Sequence, residues 1–68
     1  MENNRIEVIN RKYEKLGTER YSSAEAAYEA YVEAIRVLKA NLSVGEEATV
    51  IRYRWGKIMA METVIGTH

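Results

Sequence analysis

Arg52, Arg54 and Lys57 surround Trp55 and Gly56 in the stretch IRYRWGKIMAME, which runs from Ile51 to Glu62. Cations beside an indole ring can hold phosphates while the ring stacks on a base, or can anchor a protein contact. A basic β-ribbon can also enter a DNA groove. Three cations are few, and non-specific affinity for nucleic acid scales with the phosphates neutralised. Tryptophan and arginine together are also the residues that dominate protein interfaces. The ordinary alternative is a solvated turn whose charges keep the hairpin from aggregating. The candidate partner-binding set is Arg52, Arg54, Trp55, Lys57, Met59 and Met61, with a protein contact ranked ahead of nucleic acid.

Other chemistries find less support. A Ser/His nucleophilic pair needs a placed imidazole, and the sole histidine is His68 at the C-terminus. Ser22 and Ser23 are better employed in capping a helix. Glu25, Glu29 and Glu33 recur at helical spacing, but on the expected solvent face, where a solvated acidic surface is the ordinary explanation. Gly56-Lys57-Ile58 has a Gly-Lys pair without the rest of a phosphate loop. There is no cysteine, and the carboxylates lack calcium-loop spacing. No enzyme, metal or cofactor is expected.

The chain has 68 residues, enough for one small domain, 1–68. A core of this size supplies only about 3–5 kcal/mol net. With disulfides excluded, association with a second copy is the remaining route to stability. Ten basic residues balance ten acids, all of them glutamate, which argues against broad electrostatic binding to nucleic acid. No segment reaches the ~20 apolar residues of a membrane span. MENNRIEVIN lacks a basic start followed by an apolar run, so no secretory leader is expected and the default compartment is cytoplasmic.

The pattern of elements is α+β. Ile6, Ile9, Tyr13 and Leu16 recur at helical spacing, Asn4 and Glu7 fit a capping pair, and Gly17 fits a left-handed stop. These predict a first helix over about 4–16. A competing strand over residues 5–11 rests on the β-branched Ile6, Val8 and Ile9, and would give a β-α-β-β order with a three-stranded sheet. A second helix over about 22–42 opens at Ser22 and Glu25. Ala24, Ala27, Tyr28, Tyr31, Ile35, Leu38 and Leu42 share its apolar face. A further strip of Ala26, Ala30 and Val37 widens the apolar arc beyond what one surface helix needs. With Tyr31, this strip forms the candidate dimer interface.

A β-hairpin over about 47–65 turns at Trp55-Gly56. Direct pairing matches Arg54 with Lys57, Tyr53 with Ile58, Arg52 with Met59, and Ile51 with Ala60. One face then carries Ile51, Tyr53, Ile58, Ala60 and Val64, the natural floor for the helices. The other carries Val50, Arg52, Arg54, Lys57, Met59, Met61 and Ile65. The expected architecture is an antiparallel helix pair packed on this hairpin, dimeric through a shared sheet. The expected function is a non-enzymatic module acting by protein–protein binding, as a regulator, inhibitor or adaptor. Its size and composition suit an accessory factor of bacteria, phages or mobile elements. The alternatives are a nucleic-acid-binding regulator using the hairpin around Trp55, and a small-molecule binder at a dimer seam lined by Tyr28, Tyr31 and Met59.

Overall fold

The computed structural model describes residues 3–68. In chain order they form β1 (Asn4–Asn10), β2 (Lys15–Tyr21), α1 (Ala24–Asn41), β3 (Glu47–Arg54) and β4 (Lys57–Ile65). The strands make one antiparallel sheet in the order β2-β1-β3-β4. The α+β class stands, as do the long helix and the C-terminal hairpin.

The expected helix over residues 4–16 is instead the hairpin β1–β2, so all four strands come from one chain. Ile6 and Val8 point to one side of β1 and Arg5, Glu7 and Ile9 to the other, a period of two that the chance spacing of Ile6, Ile9, Tyr13 and Leu16 conceals. Asn10 drives the reversal. Its side-chain oxygen accepts from the amides of Lys12 and Glu14, each at 2.9 Å, which fixes the turn without a glycine. Tyr13 takes the left-handed position at φ 63°. Gly17 is not a helix stop but a β2 residue opposite Val8. The β-α-β-β alternative captures β1 and misses β2.

The helix α1 starts one residue later than the Ser22 reading. Ser23 is the N-cap, and its hydroxyl accepts from the Ala26 amide at 3.1 Å. The helix lies over Ile6 and Val8 of β1. Register carries the same face to Arg52 and Val50 of β3, and on to Ala60, Glu62 and Val64 of β4. Arg52 meets the Tyr28 ring and Lys39 reaches Glu62 at 3.8 Å, which places the helix on this side.

That overturns the expected floor of Ile51, Tyr53 and Ile58. The helix takes the face of Val50 and Arg52 instead, and a β-bulge brings Ala60 and Val64 across to it. Tyr53 pairs with Ile58 and Arg54 with Lys57 as expected, but Arg52 pairs with Ala60 and Ile51 with Met61. Met59 is the extra residue, so every β4 side chain beyond it changes face relative to simple pairing.

Among the described residues, the buried apolar ones are Ile6, Ala27, Ala48, Val50, Ile51 and Val64. None is aromatic, and each fully buried Val or Ile contributes about 1.5–3 kcal/mol. The accessible surface is 4766 Å², against about 4,400 Å² for a typical folded chain of this mass. The protein is a thin two-layer slab with a small core. Among the described residues, no helix is long and apolar enough to cross a membrane.

The C-terminal tail is tied down rather than frayed. The Val44 amide donates to the His68 carbonyl at 3.0 Å and the Gly66 amide to that of Glu46 at 2.8 Å. The imidazole of His68 sits 2.9 Å from the Lys39 carbonyl oxygen. A Cβ on Gly66 would fall 1.9 Å from the Ser43 carbonyl oxygen, so only glycine fits. Gly66→Ala is expected to cost roughly 1–3 kcal/mol by expelling the tail from the end of α1, read as a lower urea midpoint. An unchanged midpoint would show that the tail contributes nothing.

Candidate binding surface

The hairpin β3–β4 turns through Trp55 at φ 54° and Gly56 at φ 76°. Two positive φ values make the tight mirror-image turn that matches strand twist, where Asn-Gly is the preferred pair. Glycine is at home there; tryptophan is not. A non-glycine side chain in this region costs roughly 1–2 kcal/mol. The Trp55 amide donates to the Asn3 carbonyl at 2.9 Å, which anchors the tip to the start of β1. The indole itself is 59% exposed, so burial of the ring does not offset the strain.

The bulge separates the six candidate partner-binding residues. Arg52 and Arg54 are half-buried on the helix side, and the guanidinium of Arg52 lies 5.9 Å from the Tyr28 ring centre. Lys57 and Trp55 are exposed at the tip. Met59 occupies the bulge, and Met61 projects from the opposite, helix-free face beside Ile51. Arg52, Arg54 and Lys57 still share one side of the hairpin, the side on which the helix lies, and Met61 leaves it for the other.

An apolar row runs along β4. Ile58, Met59, Met61 and Ile65 of β4 are 56%, 51%, 61% and 67% exposed, and β4 is an edge strand. Simple pairing already puts Met61 and Ile65 on one face, and the bulge brings Ile58 to that same face, which is the helix-free one.

The four candidate dimer residues also divide. Ala30 and Val37 line an open apolar groove of about 540 Å³ between α1 and the β1–β2 hairpin, with Ile6, Val8, Gly17 and Tyr21 opposite. Helical spacing puts Ala26 on this flank too. Tyr31 lies on the other flank, towards Glu62 and Arg52. The expected small-molecule seam is not assembled within one chain. The cleft beside Tyr28 is lined by Ala24, Glu25, Glu29 and Arg52, without Tyr31 or Met59.

Electrostatics add little reactive character. Hydrogen bonds from Arg36 hold the Glu33 carboxyl below its usual range, the reverse of what a general base near neutral pH needs. No group of three or more His, Asp or Glu side chains placed to hold a metal occurs among the described residues. Burial raises the phenol of Tyr21, helped by its 3.0 Å hydrogen bond to Glu19. Burial and the Glu62 charge raise that of Tyr31 against the opposing pull of Arg52. A raised phenol pKa favours the neutral form in the fold, so this stability is complete below the ordinary phenol range near pH 10 and is lost above it. Alkaline titration of phenolate absorbance should show late-ionising tyrosines, with Tyr21→Phe and Tyr31→Phe each removing one. A late phase unchanged in both variants would contradict the assignment.

Comparison with protein-family models, with curated proteins and with solved structures finds no match for this chain.

Proposed function

We propose that this chain is a non-catalytic protein-binding module, a regulator or adaptor, whose contact surface is the Trp55 tip and the exposed row along β4. The observation that carries this reading is Trp55. A large aromatic residue stands exposed in a strained backbone position that asparagine would fill at lower cost. Strain kept at an exposed position points to a use for the side chain. Tryptophan is also the residue most enriched among interface anchors. Arg52 and Arg54 are half-buried on the helix side, with Arg52 against the Tyr28 ring, which weakens the nucleic-acid reading of this hairpin.

The two sheet edges support self-association through β4. β2 reads KLGTERY, with Lys15, Glu19 and Arg20, an interior glycine and a bulge at Leu16. These are the devices that blunt an edge. β4 reads KIMAMETVI, nine residues in which Glu62, already engaged by Lys39, is the sole charge after Lys57. An edge so long and apolar is a ready template for another strand. Two copies paired β4 to β4 about a twofold axis would join their sheets and their rows of Ile58, Met61 and Ile65.

Light scattering over a concentration series tests the association. A dimer is expected, dissociated by Met61→Glu. A monomer at every concentration, or a dimer indifferent to the substitution, would overturn it. Trp55→Asn tests the tip. Relief of about 1 kcal/mol should raise the melting temperature by about 4–8 °C for a domain of this size. A fall in melting temperature would mean that the ring serves the fold rather than a partner.

A further inference from the structure

We propose that Arg5 and Arg20 form a clamp for a terminal phosphoryl group on the helix-free face of the β1–β2 hairpin. The site is separate from the β4 surface and does not depend on it. Arg5 and Arg20 are direct cross-strand partners. Both lie on the face opposite Ile6, which packs under the helix. Side chains so paired start only about 4.5–5.5 Å apart at Cβ, and like charges there repel.

Arg5 is held in place. Its guanidinium carbon lies 4.2 Å from the centre of the Tyr53 ring. Its Nε sits 3.5 Å from a Glu7 carboxylate oxygen, a charge contact without a hydrogen bond. Glu7 is 6% exposed and shares the same oxygen with the Lys15 ammonium at 3.3 Å. Arg20 is exposed and makes no ion pair or hydrogen bond of its side chain among the described residues.

The charges then identify the ligand. Among the described residues, Arg5, Lys15 and Arg20 against Glu7 leave a formal +2 over one small patch. A phosphomonoester carries about −1.5 to −2 at neutral pH and offers three acceptor oxygens. Two guanidinium forks can each take oxygens of such a group in parallel hydrogen bonds. A carboxylate or a phosphodiester carries one negative charge and would leave the patch half neutralised. The preferred ligand is therefore a monoester, on a small molecule or on a phosphorylated side chain, and not a nucleic-acid backbone.

Amide NMR titration tests the clamp, at low salt and about one pH unit above the second phosphate pKa of ~6. The probes are inorganic phosphate, a phosphoserine peptide and oligo(dT). Phosphate should give saturable shifts at Arg5, Arg20 and Tyr53. Arg20→Gln should weaken binding at least ~10-fold, the low end for a charged hydrogen bond, while Lys57→Gln should not. Binding should weaken as pH falls through ~6 and the dianion is protonated. A peptide bound much more tightly than phosphate would place the group on a protein; equal affinity would place it on a small molecule. Either result supports the clamp. Three results would overturn it: no saturable shift, shifts unaffected by Arg20→Gln, or oligo(dT) bound as tightly per phosphate as the monoester. Arg20→Gln should also raise the melting temperature of the ligand-free protein, and a fall would remove the repulsion on which the proposal stands.

Discussion

An 18-residue helix is about 27 Å long and about 10 Å across, whereas four strands spaced by about 4.8 Å present a sheet about 19 Å wide. One helix therefore covers one face of this sheet, and that face incompletely. The coverage centres on Ile6, Val50 and Val64, which with Ala48 are buried on the sheet face that meets the buried Ala27 of the helix. Towards β2 the covering thins into the groove between Ala30, Val37 and Gly17. The other face carries no helix. Ile51 is buried there at 6% exposed between flanking strands, while Ile58, Met61 and Ile65 stay open to solvent. The shortage of covering helix sets the small core and the large exposed apolar area together.

The protein manages its exposed surfaces unequally. β2 is charged, interrupted by glycine and bulged, so its pairing groups are poor templates. β4 is long, apolar and headed by a strained tryptophan. If both edges were merely tolerated, the same protective devices would be expected on each. The helix-free face is divided along the same line. Its β1–β2 half carries Arg5, Glu7, Lys15 and Arg20, and its β3–β4 half carries Ile51, Tyr53, Ile58, Met61 and Ile65. A charged half and an apolar half on one sheet allow two different contacts without competition between them.

What the sequence made legible follows from how local each signal is. The alanine-rich run behind Ser22 and Ser23, and the Trp55-Gly56 turn between β-branched runs, are short-range patterns, and both elements form where expected. The first hairpin hid because its turn uses Asn10 as a side-chain acceptor and Tyr13 in the left-handed position, with no glycine or proline to mark it. The alternation of Ile6 and Val8 with Arg5 and Glu7 was the signal available. The candidate surface was harder still. Whether Met61 points with Ile51 or with Val50 depends on one bulged residue, Met59, and no local pattern marks a bulge. The pairing of Arg5 with Arg20 needs the β1–β2 register, which cannot be posed while residues 4–16 are read as a helix.

The proposed pairing surface is the outer edge of β4. Hydrogen exchange of its outward-facing amides, followed at two protein concentrations well separated about the association midpoint, tests it most directly. If β4 pairs with a second copy, those amides exchange slowly at high concentration and fast at low concentration, while the amides bonded to β3 stay protected at both. Fast exchange of the outward amides at both concentrations would contradict the account and leave β4 an unpaired edge.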